Sequence, residues 1–159
     1  MAKGKKKHKG SDNTIGQNRK ARHDFILSDE FEAGIALEGW EVKSLRDHRL
    51  QMADAYVGIQ NGEAYLLHAL ITPLQTASTH INPDPRRPRK LLLHRRELDR
   101  LIGSIERGGF TIVPLSMYWK NNRVKVKIAL AKGKQKHDKR AAEKDRDWQR
   151  DKQRILRNR

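Results

Sequence analysis

Seven histidines, nineteen carboxylates and no cysteine are the residues of this chain that could do chemistry. Without thiols, disulfide staples, thiol nucleophiles and cysteine-based zinc sites are excluded. The histidines are His8, His23, His48, His68, His80, His94 and His137, and no two have the i, i+4 spacing by which a helix presents a metal site. No metal and no cofactor is expected. Gly133-Lys134 looks like the end of a phosphate-binding loop, but Gln135 replaces the needed hydroxyl residue and Ile128 stands where the first glycine belongs. Ser104 follows Gly103 inside a helical apolar period rather than at a strand-to-helix elbow, and it has no placed base. The sequence therefore points to no catalytic residue, no enzyme and no small-molecule substrate. What remains is ionic: 35 Lys and Arg against 19 Asp and Glu, a net charge of +16.

The location of that charge is informative. Residues 1–22 hold eight bases and one acid, residues 132–159 twelve and five, so each end carries +7. The stretch 23–131 holds fifteen and thirteen, leaving +2. A nearly neutral centre with two cationic ends is the layout of a polyanion binder. Residues 1–17 read as a flexible basic arm with little to bury. Residues 18–131 read as one compact domain. Residues 132–159 read as a basic tail, disordered when free and helical when bound. No apolar run approaches the roughly 18 residues of a membrane span. None follows the basic N-terminus as a secretory signal requires, so a cytoplasmic location is expected.

The elements that would position these charges are mostly strands. Val124, Val126, Ile128 and Leu130 alternate with Lys125, Lys127 and Ala129, the period of a half-buried strand. Phe110–Trp119 should pair with it across Asn121-Asn122, with an edge or bulge at Pro114. Asn61-Gly62 predicts a hairpin between 53–60 and 63–71. Asp24–Leu27 predicts a short strand, Ser28-Asp29-Glu30 a break, and Phe31–Leu37 a strand with Phe31, Ala33, Ile35 and Leu37 inward. Trp40, Val42 and Leu45 shift to a helical spacing through Arg49, and Leu98, Leu101, Ile102 and Ile105 mark a helix over 94–107, stopped by Gly108-Gly109. Residues 72–90, with Pro73, Pro83, Pro85 and Pro88, form a long connection ending in Arg86-Arg87-Pro88-Arg89-Lys90, suited to phosphate contact. The expected fold is mainly β with two small helices: an antiparallel, partly open oligonucleotide-binding-type barrel of about six strands. In the tail, the acid–base pairs Glu143–Arg146, Asp147–Arg150 and Asp151–Arg154 support a helix. Glu32 stands on the outward face of its strand beside Gly34 and Ala36, whose small size would let another molecule approach. By pattern alone it is a solvated strand-face glutamate; in an RNA site it would accept hydrogen bonds from base amino groups.

Five stretches together resemble the bacterial SsrA-binding protein family, also called small protein B. They are residues 18–23 (NRKARH), 31–35 (FEAGI), 39–46 (GWEVKSLR), 89–93 (RKLLL), and Ala131-Lys132-Gly133-Lys134 with His137-Asp138-Lys139-Arg140. The resemblance implies an oligonucleotide-binding-type barrel that holds the tRNA-like end of transfer-messenger RNA and delivers it to stalled ribosomes for trans-translation. It implies a tail that enters the decoding centre and the empty mRNA channel and folds there. Carried over by motif, Asn18, Glu32 and Leu92 belong to the RNA-binding surface. The neighbouring cations Arg19, Lys20, Arg22, Lys43, Arg46, Arg89, Lys90, Lys125 and Lys127 complete that set. Gly133, Lys134, His137, Asp138, Lys139 and Arg140 are implied at the decoding centre, joined by Lys132, with Trp148, Ile155 and Leu156 along the distal tail. The family's Gly-Lys-Lys reads Gly133-Lys134-Gln135 here. Two other classes stay open: a small ribosomal or rRNA-binding structural protein, which the charged ends fit equally, and a metal-free ribonuclease, disfavoured because histidines and carboxylates do not converge.

Overall fold

The structure, a computed structural model, describes residues 13–75, 82–134 and 136–157, without the side chains of 136–139, 141 and 142. In chain order the elements begin β1 (Thr14–Gln17), α1 (Arg19–Asp24), β2 (Phe25–Ile35), α2 (Gly39–Arg46), β3 (Leu50–Gln51), β4 (Tyr56–Gln60) and β5 (Glu63–Leu67). They continue β6 (Leu70–Ile71), β7 (Arg89–Leu92), α3 (Arg95–Glu106), β8 (Thr111–Lys120), β9 (Arg123–Gly133) and α4 (Lys136–Arg157). Six strands form an antiparallel ring in the order β8-β4-β5-β7-β2-β9, with β9 pairing back onto β8. This is the partly open barrel expected from the strand periods. Its closure is uneven: β2 and β9 pair from Phe25 opposite Gly133 to Gly34 opposite Lys125, while β4 meets β8 at Val57 opposite Ile112.

Two asparagine turns set the registers. Asn61-Gly62, with φ of 50° and 73°, joins β4 to β5, and Asn121-Asn122, with φ of 51° and 59°, joins β8 to β9. Both need the left-handed backbone that Asn and Gly tolerate. The first hairpin is shorter than its sequence suggests, because Leu70–Ile71 turns away to pair with Leu50–Gln51.

Pro114 sits where β8 changes neighbours. Beyond it the register shifts by a bulge between Pro114 and Ser116; Ile112 faces β4, and Ser116 to Tyr118 face β1. A residue without an N–H costs nothing at such a switch. The bulge also reverses which side chains point inward, so Ile112 and Met117 both enter the barrel core while Val113 and Leu115 face outward. That outward patch is covered by Ala21 of α1, with Ala129 and Ala131 of β9 beside it. Both faces of the β8–β9 hairpin are thus buried here.

Three sequence expectations change. The stretch read as a break, Ser28-Asp29-Glu30, is carried within β2 as a bulge between Leu27 and Glu30, its polar side chains exposed. Thr14–Gln17, placed by composition in the basic arm, pairs with β8, and Ile15 is buried. Residues 19–24 form a helix begun by Asn18, so the barrel carries three helices rather than two, and with α4 the described residues hold four.

Candidate nucleic-acid interface

Glu32 stands on the exposed side of β2, opposite Lys127 of β9. Its carboxylate does not take the lysine opposite. It accepts from the Tyr118 hydroxyl and from Lys120 Nζ, 3.1 Å from Oε1, both reaching over β9 from β8. The Tyr118 hydrogen bond, then Lys120, holds the Glu32 pKa below the usual carboxylate range. Burial and the same carboxylate push the Tyr118 phenol upward. Lys127 Nζ lies 3.9 Å from Glu30 instead.

Glu32 is on the ridge between two hollows. One, of about 780 Å³, runs along Gly34, Val42, Leu92, His94, Glu97 and Lys125; the other, of about 480 Å³, holds Asn13, Thr14, Ser116 and Lys127. Leu92, 55% exposed, is an apolar face offered to the first. Gly34 gives way to Leu92 rather than to an incoming molecule: a Cβ there would lie 3.2 Å from the Leu92 Cβ. Lys43 and Arg46 are on α2 beside Val42, and the Arg46 guanidinium sits 6.0 Å from the Trp119 ring centre. Lys90, on β7, points outward with Nζ 3.9 Å from Glu63. The groove therefore combines an apolar floor, carboxylate acceptors and cations, which can receive an exposed base with its phosphates.

A second group gathers at the far end of the β8–β9 hairpin. Arg19, Lys20 and Arg22 lie exposed on α1, Lys20 Nζ 3.4 Å from Asp54. Lys134 donates from its backbone to Asp24 O at 2.9 Å and from Nζ to Arg22 O at 3.4 Å. Gly133 is opposite Phe25, and Lys132 Nζ lies 4.4 Å from the Phe110 ring centre. The cations of α1 at 19–22 thus adjoin the start of the tail. His23 bridges them, with Nδ1 2.9 Å from Asp24 and Nε2 3.1 Å from Glu143 of α4, and these carboxylates, Asp24 foremost, raise its pKa.

Two sequence-derived candidates turn inward. Asn18, 4% exposed, receives the Ala21 N–H, donates Nδ2 to Pro114 O at 3.0 Å, and donates its backbone N–H to Leu115 O. Its side chain ties α1 to the β8 bulge. Arg89 is fully buried: it donates to the equally buried Glu41, to Ala69 O at 2.8 Å and to Pro85 O at 3.1 Å. Burial lowers its pKa and Glu41 opposes this. Arg89 has no surface for a phosphate; with Arg87, which also donates to Glu41, it fastens residues 84–89 to α2. The expectation that this whole basic run meets RNA is corrected accordingly.

Along α4, Arg140 is exposed, and Trp148, Ile155 and Leu156 are 66%, 63% and 60% exposed. His137, Asp138 and Lys139 fall in this helix, but their side chains, like Gln135, lie outside the described residues. Among the described residues, no group of three or more His, Asp or Glu could hold a metal ion, and no helix is long and apolar enough to cross a membrane.

The SmpB protein family model matches residues 15–158. The chain belongs to the SmpB family. An SsrA-binding protein of Alcanivorax borkumensis is 61% identical over 159 residues, all of both chains. One of Thiobacillus denitrificans is 58% identical over 91% of this chain and 97% of its own. A solved structure described as "tmRNA-SmpB: a journey to the center of the bacterial ribosome" contains a chain 45% identical, with a TM-score of 0.63, over 76% of this chain and 85% of that one. The SmpB match begins at Ile15, inside β1, and runs through the barrel into α4.

Sequence reasoning missed Tyr118, Lys120 and Glu41. Tyr118 and Lys120 carried a usable signal: in register they share the outward face of β8 with Ser116, two strands from Glu32. Glu41 carried a partial one, as the third residue of a helix whose first turn it caps by accepting the Glu38 N–H at 2.8 Å.

Proposed function

We propose that the chain is an RNA-binding factor that acts in the cytoplasm without catalysis. Its barrel binds the tRNA-like part of transfer-messenger RNA, the SsrA RNA, and delivers it to stalled ribosomes for trans-translation. The family match across residues 15–158 carries this reading, together with relatives named SsrA-binding protein at 56–61% identity. The groove supports the barrel's part. Glu32 and Leu92 line it with Lys125, so one wall can accept base amino groups while cations meet phosphate. Arg19, Lys20 and Arg22 extend that cationic surface at the other end.

The tail has a second partner, the decoding centre and vacant mRNA channel. Lys132, Gly133 and Lys134 lead to it from the barrel edge. Lys139 and Arg140 supply contacts to rRNA, His137 a stacking surface, Asp138 an acceptor. Trp148, Ile155 and Leu156 form the apolar side of a helix that is consolidated on the ribosome.

RNA recovered with the purified protein tests the first claim. One discrete species, identified as transfer-messenger RNA, is expected. Ribosomal RNA would favour a structural ribosomal protein, and cleaved RNA a nuclease. A chain stopped after Lys134 tests the second. It keeps β9 and the Lys134–Asp24 bond, so it should fold and bind the RNA with a modest, salt-sensitive loss, yet fail to support peptide tagging. Charge reversal at Lys139 and Arg140 should do likewise. Full tagging by a protein whose residues 135–159 are shuffled would overturn the tail assignment.

A further inference from the structure

The Glu32 carboxylate is held in an unusual way for a strand-face residue. Its cross-strand partner Lys127 is near Glu30 at 3.9 Å, and Glu32 is instead gripped by two β8 side chains that pass over β9. Tyr118 donates to Oε2; Lys120 Nζ is 3.1 Å from Oε1 and 3.4 Å from Oε2. Glu32 remains 38% exposed and lines both hollows. A carboxylate offers about four lone-pair sites. The grip therefore orients the group while leaving acceptor capacity towards the groove.

We infer that Tyr118 and Lys120 are positioning residues for the RNA contact: they turn Glu32 along the sheet and balance its charge, so that it presents an acceptor to a base amino group. This deepens the proposed function and rests on Glu32 touching the RNA. A free carboxylate beside a polyanion would repel it and would rotate among several orientations. Lys120 cancels the repulsion locally. The Tyr118 hydroxyl removes the rotation without adding a charge, and leaves Lys125 on the groove wall for phosphate.

The charged and titratable groups around Glu32 are Tyr118 and Lys120 from β8, Lys125, Lys127 and Arg123 from β9, Glu30 on its own strand, and His94 and Glu97 at the start of α3. Tyr118→Phe removes one hydroxyl and keeps the ring, and it leaves every other member of this set, His94 included, unchanged.

The experiment is a double-mutant cycle on binding of the tRNA-like domain of transfer-messenger RNA, with the full chain at fixed salt. Thermal melts confirm that each variant folds. Tyr118→Phe should weaken binding about three- to tenfold, the range of one hydrogen bond. In the Glu32→Ala background the same change should have no effect. On acidification, Tyr118→Phe should begin to lose affinity at a higher pH than the native chain, because Glu32 without its donor protonates more readily. If Glu32→Ala binds normally, Glu32 does not touch the RNA, and the reading beneath the inference fails. If Glu32→Ala binds weakly but Tyr118→Phe binds normally, the inference alone fails. Equal losses from Tyr118→Phe with and without Glu32 would also overturn it, since Tyr118 would then act on its own.

Discussion

Glu32 and Glu41 are nine positions apart in the chain, and each is held by two side-chain donors from distant parts of the sequence. They differ in water. Glu41 and Arg89 are both 0% exposed, whereas Glu32 and Lys120 keep 38% and 54% of their side-chain surface. A buried pair has already lost its hydration, and removing either member strands a charge with no solvent to receive it. A pair in water has lost little, contributes little to stability, and can exchange a partner for an incoming one. The same ionic chemistry thus locks α2 to the 84–89 segment in one place and leaves a solvent-facing carboxylate in the other.

That contrast breaks most sharply at the buried pair. Arg89→Met or Glu41→Gln should each destabilise the barrel by about 3–5 kcal/mol, while replacing both by apolar residues should recover most of the loss. Denaturant unfolding reads both; single changes costing under about 1 kcal/mol would erase the distinction. Glu32→Ala should do the reverse. It should cost about 1–3 kcal/mol in RNA affinity if a paired base contact is lost, with stability changed by under about 1 kcal/mol. Tighter binding, as charge alone would give, would refute its role. Salt sharpens the comparison further. RNA affinity should fall linearly on logarithmic axes, and unfolding should scarcely move, since a buried pair is poorly screened. Deleting residues 1–12 should flatten the affinity slope without changing which RNA is preferred.

The smallest effects are in titration. Glu32 has a lowered folded-state pKa, so its contribution to folding is present above the unfolded pKa and vanishes as pH falls through the folded one. His23 is the opposite case: raised above 6.5, its contribution is complete below that value and vanishes as pH rises through the folded pKa. In an NMR titration, Asp24→Asn should lower the His23 midpoint more than Glu143→Gln does, matching the order of their influence.

The features legible in sequence were those with a local cause. Asn61-Gly62 and Asn121-Asn122 specify their turns through backbone freedom at two residues, and Leu98 and Leu101 mark the buried side of α3 by spacing alone. Arg89 was misread because a cation in an Arg-Arg-Pro-Arg-Lys run looks solvated, and its burial depends on Glu41, 48 residues earlier. The bulge at Ser28–Glu30 was hidden for a similar reason: a polar run reads as a break unless the partner strand that spans it is known. Glu32 was singled out by motif, but the two β8 side chains that hydrogen-bond it follow from register across three strands.

The β8–β9 hairpin also decides how far apart β1 and the tail meet the barrel. Asn13 accepts from Trp119 N–H near the Asn121-Asn122 turn, while the chain leaves β9 for the tail at Gly133, at the other end of that strand. The nine residue steps of strand from Val124 to Gly133 span about 30 Å. That is several times the roughly 8–10 Å over which exposed charges feel one another at physiological salt. The barrel is therefore a rigid spacer that keeps these two points beyond one another's electrostatic reach.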